Sequence, residues 1–147
     1  MPHLTVHALE PQVTGRENDL IARLTDAVTS VYGEWARDLV VVQLAGLPAG
    51  RWAVGGVARR DAAPTVTFAI REKALTRADG PQIAARLVAA VTDAVATALG
   101  EHHRGGIVVD LVATRDDRTA VGGRLVSDSA PLSGGPGGSV ADHESRR

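Results

Sequence analysis

The chain has 147 residues, 44% of them apolar and 22% charged, with a net charge of −1, the profile of one globular domain long enough to bury a core. It has no cysteine, which excludes disulfides, thiolate nucleophiles and Cys-ligated zinc. Basic residues are scattered, two Trp, one Tyr and one Phe are all that could stack on bases, and no run of 18 apolar residues occurs, so neither nucleic acid nor a membrane is an expected partner.

The N-terminus, Met1-Pro2-His3-Leu4-Thr5-Val6, lacks the basic and apolar regions of a secretory signal, and a cytoplasmic location is expected. Residues 4–9 are short and partly β-branched, and stop at Glu10-Pro11, which suits a strand. Thr14 with Glu17 three residues later reads as a capping box. Leu20, Ile21, Leu24, Ala27, Val28 and Val31 then follow at helical spacing, and Gly33 ends that helix. Glu34-Trp35 falls in a loop, and the run 39–44 reads as a strand buried on both sides. Residues 65–70 form another strand. Ile83, Leu87, Val88, Val91, Val95 and Leu99 line a second helix, closed by Gly100, and 106–112 is the last long strand. From Ser127 to Arg147 the chain is rich in Gly, Ser and Pro, which reads as a flexible tail.

The order of elements repeats. Thr25-Asp26-Ala27-Val28 recurs as Thr92-Asp93-Ala94-Val95, and Ala53-Val54-Gly55-Gly56 recurs as Ala120-Val121-Gly122-Gly123, both 67 positions on. Gly33 and Gly100 keep the same offset. Residues 39–41 match 107–109 with a one-residue slip, and Thr5-Val6 corresponds loosely to Thr65-Val66. The reading is an α+β domain over 1–126, built from tandem β-α-β units at about 2–60 and 63–126. Right-handed parallel crossovers within each unit give one four-stranded mixed sheet with both helices on one face. The uncovered face implies a homo-oligomer. The two Ala-Val-Gly-Gly segments read as small ribbons able to pair with a neighbouring subunit.

Taken with this duplicated plan, the opening Met1-Pro2 resembles the tautomerase superfamily of 4-oxalocrotonate tautomerase. The segments Pro48-Ala49-Gly50, Val54-Gly55-Gly56-Val57, Arg71-Glu72, the helix Gln82 to Val88 and Gly123-Arg124 are most similar to its cis-3-chloroacrylic acid dehalogenase-like branch. The resemblance implies removal of Met1, catalysis by the free amine of Pro2, no metal or organic cofactor, and a small-molecule carboxylate substrate. It implies a trimer, because three two-unit chains mimic six single units in a ring. An unperturbed α-amino group titrates near ~8, and burial and nearby cations lower that value. Such an amine can move a proton on carbon beside a carbonyl. Arg71 stands where the family's substrate-binding Arg is found, with Lys73 and Arg77 as further cations. Pro64 opens the second unit's strand but lies inside the chain, so one active site per chain is expected.

The branch's helix His falls at Val28, its water-activating Glu at Val121 and its Tyr near Asp110. That pattern turns the reading from dehalogenation toward tautomerisation of a 2-oxo acid. Decarboxylation, hydration, a specialised biosynthetic step, or a binding relative without chemistry remain the alternatives. His3 and Asp110 are possible pocket residues. Trp35 reads as a packing residue. His102-His103 follows a helix end, where the dipole favours cations, and with no further ligands evident no metal site is expected.

Overall fold

The fold of the computed structural model is described for residues 2–129. Strand β1 (His3–Leu9) alternates as its sequence requires, with Leu4, Val6 and Ala8 buried and His3, Thr5 and His7 on the opposite side. It runs into a one-turn helix, α1 (Glu10–Val13), and then the long helix α2 (Glu17–Tyr32). The expected capping box does not form. The Thr14 hydroxyl donates to the Glu10 carbonyl at 2.9 Å, closing α1, and the residue before α2 is Arg16, which makes no side-chain cap. Gly33 ends α2 at φ 104°, its N–H bonding the Thr29 carbonyl. The chain then makes a 3₁₀ helix, Glu34–Leu39, where a loop was expected.

Strand β2 (Val41–Leu47) pairs parallel to β1, and β5 (Thr65–Arg71) pairs with β1 antiparallel and with β6 (Val108–Thr114) parallel. The order β2-β1-β5-β6 makes one mixed sheet, as the sequence reading expected. β2 is an edge strand, however, with none of its residues fully buried, so it is not covered on both sides. Between β5 and β6 run the short helix α3 (Glu72–Thr76), the long helix α4 (Gly80–Leu99) and a 3₁₀ helix, Glu101–Gly106. After β2 and β6 come two ribbons, β3 (Ala53–Val54) with β4 (Val57–Ala58), and β7 (Ala120–Val121) with β8 (Arg124–Leu125). Each turns on a Gly-Gly pair with both φ positive, Gly55-Gly56 and Gly122-Gly123, the backbone that a two-residue hairpin needs.

The duplication therefore extends from the first strand of each unit through its ribbon. The strand offset is 62 residues (β1 to β5) and becomes 67 by β2 and β6, because α3 is one residue longer than α1 and α4 one turn longer than α2. No slip is needed: Val41 corresponds to Val108, and His3 to Thr65. Ion pairs repeat too. Arg37 holds Asp26 and Glu34, and Arg104 holds Asp93 and Glu101, pinning each 3₁₀ helix to the long helix before it.

Both long helices lie on one sheet face. Leu20, Leu24 and Val28 of α2 and Leu87, Val91 and Val95 of α4 meet Leu4, Val6, Val66, Phe68 and Ile70. Each such side chain contributes about 1.5–3 kcal/mol by leaving water. By length and composition α4 would qualify as a membrane span, but here it is a core helix, and Arg86 and Asp93 lie along it. A 3₁₀ turn, Val126–Asp128, runs into the start of the Gly/Ser/Pro-rich segment, and residues 130–147 lie outside the described residues, as does Met1.

Gly80 opens α4 with no room for a side chain, since a Cβ there would stand 1.9 Å from the Leu75 carbonyl oxygen. The contact is with backbone, so α3 or α4 must move to relieve it. Gly80→Ala is expected to lower unfolding stability by about 1–3 kcal/mol, whereas Gly105→Ala, whose Cβ meets nothing within 4 Å, is expected to be neutral. Denaturant titration of the two variants checks this, and equal stabilities would refute it.

Candidate active site

Antiparallel pairing brings the start of β1 to the end of β5, with His3 opposite Ala69. Pro2, one residue earlier, is fixed by its carbonyl, which accepts the Val41 N–H at 2.9 Å. Around it opens a cleft of about 400 Å³. Its walls are largely apolar, formed by Tyr32, Trp35, Ala36, Leu39, Ile70 and Ala74, and its charges are Arg71, Lys73 and Arg77. The four residues singled out in the sequence for the amine and the cations thus line one cavity. Apolar walls with a few converging polar groups are the usual makeup of a small-molecule site.

Trp35 is a wall rather than a packed core residue. It is 62% exposed, its indole N–H donates to the Tyr32 carbonyl at 2.7 Å, and its ring meets Tyr32 edge-on. Half-burial pushes the Tyr32 hydroxyl pKa up, partly offset by the positive charge of Arg77, so the phenol stays protonated and able to donate. Gly33 makes room for this arrangement, since a Cβ there would press on the Trp35 ring at 3.1 Å.

The cations are not free. Arg71 Nη1 donates to Asp116 Oδ1 at 2.8 Å, and Lys73 Nζ lies 3.3 Å from Asp116 Oδ2. The Arg71 hydrogen bond outweighs the opposing effect of burial and, with a lesser contribution from Lys73, holds the Asp116 carboxyl below the usual carboxylate range. Arg77 pairs with Asp79 at 3.2 Å. Three cations thus face two carboxylates, and the lining keeps a positive excess. Guanidinium has five N–H donors, and the Asp116 bond occupies one nitrogen of Arg71.

Sequence reasoning passed over Asp116. The signal was the run Arg115-Asp116-Asp117-Arg118 directly after β6: parallel strands end at the same sheet edge, and Arg71 registers with Thr114. The Thr114 hydroxyl bonds the Ile70 carbonyl at 3.0 Å, and the Asp116 carbonyl accepts the Ser127 N–H at 3.0 Å, which fixes the turn against β5.

His3 and Asp110 do not line the cleft. His3 points to the open sheet face, and so does Asp110, whose register partner Thr67 faces away from the core. The alternation rule explains both, because Leu4 on β1 and Val109 and Leu111 on β6 take the covered side. Of the positions aligned with the branch's His and Glu, Val28 is fully buried in the core and Val121 is an exposed ribbon residue. His102 and His103 do acquire a companion that the sequence did not reveal, Asp61.

No family model matches the chain, and no curated protein matches it in sequence. Among solved structures it is similar to a fused 4-OT in an asymmetric trimer, at 22% identity and a TM-score of 0.73 over 85% of this chain and 96% of that one. Pt0534 inactivated by 2-oxo-3-pentynoate matches at 19% identity and a TM-score of 0.72, over 87% and 99% of the two chains. A member of the cis-3-chloroacrylic acid dehalogenase family matches at 21% identity and a TM-score of 0.63, over 84% and 82%. The chain has the fold of the tautomerase superfamily.

Proposed function

We propose that this chain is a cofactor-independent isomerase of the tautomerase kind, in which removal of Met1 frees the secondary amine of Pro2 to move a proton on a 2-oxo acid or related carboxylate. The observation that carries this reading is the shared cleft of Pro2, Arg71, Lys73 and Arg77. A structural neighbour inactivated by 2-oxo-3-pentynoate supports the 2-oxo acid class. Apolar walls and adjacent cations both disfavour a charged amine, drawing its pKa down from about 8 toward neutrality. The neutral amine takes a proton from the carbon beside the substrate carbonyl. The C–H electron pair moves into the carbon framework and the carbonyl oxygen becomes an enolate. The protonated amine then returns the proton at the new position, so nothing is gained or lost overall. Arg71, with Lys73 or Arg77, holds the carboxylate and offsets the charge that develops.

Asp116 is a positioning residue in this reading. A carboxyl held below its ordinary range by two cations is a poor base, which favours isomerisation over activation of water. It aims Arg71 instead, leaving other guanidinium donors for substrate.

The open sheet face and the two ribbons fit a trimer. Val54, Val57, Val121, Val108 and Val112 are each more than 40% exposed, and fused 4-OT neighbours are described as trimers. Burying such apolar surface between subunits is the expected outcome. Sedimentation should show a trimer at micromolar concentration; a species that stays monomeric would refute this assembly.

The enol-to-keto conversion of phenylpyruvate is the direct test of the chemistry. With intact mass confirming loss of Met1, wild type should show a rate that rises with pH through one neutral-range pKa. Pro2→Ala, which exchanges the ring amine for a primary one, should lose about 10²-fold or more. An unchanged rate in the variant would end the proposal.

Asp116 gives an independent pH test. Because its folded pKa is depressed, its contribution to stability is complete above the unfolded value of about 4 and disappears as pH falls through the folded value. Wild type should therefore melt above Asp116→Asn near neutrality, with the gap closing below about pH 4. A gap that persists in acid would mean that the ion pair is not its source.

A further inference from the structure

At the end of the molecule away from Pro2, the duplicated fold builds a second cluster. Gln12 comes from α1, Asp61 from the link between the two units, and His102 and His103 from the 3₁₀ helix before β6. The cluster occupies in the second half the place that the cleft occupies in the first. Gln12 sits in α1 as Ala74 sits in α3, and His102 follows Gly100 as Trp35 follows Gly33. Even the local fit recurs, since a Cβ on Gly100 would strike the His102 ring at 2.7 Å.

Protons alone do not satisfy this cluster. Gln12 Nε2 lies 2.7 Å from Asp61 Oδ1 and 2.9 Å from His103 Nε2, and His103 Nε2 lies 3.0 Å from the same Asp61 oxygen. If His103 Nε2 carries a proton toward Asp61, it meets the Gln12 amide donor to donor. If it accepts from the amide, its lone pair faces the carboxylate. Meanwhile Gln12 Oε1 is buried with no hydrogen-bond partner among the described residues, a costly state for an amide oxygen. Turning the amide over places that oxygen where the nitrogen now stands, against Asp61.

A cation removes the conflict among Gln12, His103 and Asp61. The turned amide oxygen, the unprotonated His103 Nε2 and the Asp61 oxygen would then all point lone pairs inward. For a triangle with these edges, a metal ~2.0 Å from each corner stands about 1 Å above its plane. His102 supplies a fourth ligand, its Nε2 lying 3.4 Å from Asp61 Oδ2, and one donor atom from each of Asp61, His102 and His103 falls within 4.8 Å of the others.

The geometry points to a binding site for a divalent first-row transition metal such as Zn²⁺, with His103, His102, Asp61 and Gln12 as ligands. Two imidazoles with one carboxylate select that class over Mg²⁺ or Ca²⁺. The site lies away from the Pro2 cleft, so the role assigned to the ion is structural. The ion would tie α1 of the first unit, the inter-unit link and the second unit's 3₁₀ helix together. The frame is already held: His103 is 6% exposed, and Arg104 anchors its helix to Asp93 of α4. Gly106 lets that helix approach the link, since a Cβ there would lie 2.9 Å from that of Ala63. The exposed side chains of Asp61 and His102 open the cluster to solvent.

The test uses the untagged full-length chain, freed of metal with EDTA and titrated with Zn²⁺ alone up to about 0.1 mM. One ion per chain is expected, with a rise in melting temperature that EDTA reverses. His102→Ala and Asp61→Asn, both at exposed positions, should each weaken binding at least about tenfold. His7→Ala on the open sheet face and Pro2→Ala should leave it unchanged, which separates this site from the amine chemistry. Absence of binding by wild type, full affinity in either cluster variant, or loss of binding in either control would overturn the assignment.

Discussion

The antiparallel seam between β1 and β5 is the contact on which the rest depends. Parallel pairing within each unit could be met by either unit alone, but this seam is what joins their strands into one sheet. It sets the start of β1 beside the end of β5 with His3 opposite Ala69. Pro2 and Arg71 are 69 positions apart in sequence, yet the seam brings both to one cavity. A register shift of one residue would turn Leu4 and Val6 away from Phe68 and Val66, so core burial and site geometry are fixed by the same hydrogen bonds.

Duplication supplied two equivalent ends, and the side chains made them different. Both halves keep the short helix after the first strand, the glycine after the long helix, and an Arg clasped by two acids. Those shared features hold backbone. At one end Trp35, Ala36 and Ala74 leave a hollow, and α3 carries Lys73 into it. At the other, His102, His103 and Gln12 fill the equivalent space with polar atoms. Pro64 also corresponds to Pro2, each accepting an N–H from the neighbouring strand, Val108 or Val41. Its nitrogen is an amide, so the second end has no amine to offer.

Charge placement in the cleft follows from the parallel pairing of β5 and β6. Strands that run side by side deliver their ends to the same edge, and here the end of β5, the helix α3 and the turn after β6 carry Arg71, Lys73 and Asp116. Placing an acid among the cations weakens their bulk attraction for anions. In exchange the Arg71 side chain is held in one direction, and a fixed donor stabilises developing charge better than a mobile one.

Much of this was legible in the sequence. Helical and alternating periodicities, the repeated Asp26-Ala27-Val28 and Val54-Gly55-Gly56 segments and the glycine stops gave both units, the mixed sheet and its bare face, because burial patterns are local and recur in each copy. Pro2, Arg71, Lys73 and Arg77 could be named because the duplicated plan and the opening Met1-Pro2 resemble the tautomerase superfamily. Their meeting in one cleft, the role of Trp35 as a wall, the ion pairs of Asp116, and the gathering of Gln12, Asp61, His102 and His103 could not. Each joins segments far apart in the chain, and distance across a fold is set by strand register and helix packing, quantities that only the closed tertiary structure contains. His3 and Asp110 illustrate the same limit: alternation set the side of each strand, while which side faces the cleft was decided when the helices covered the other.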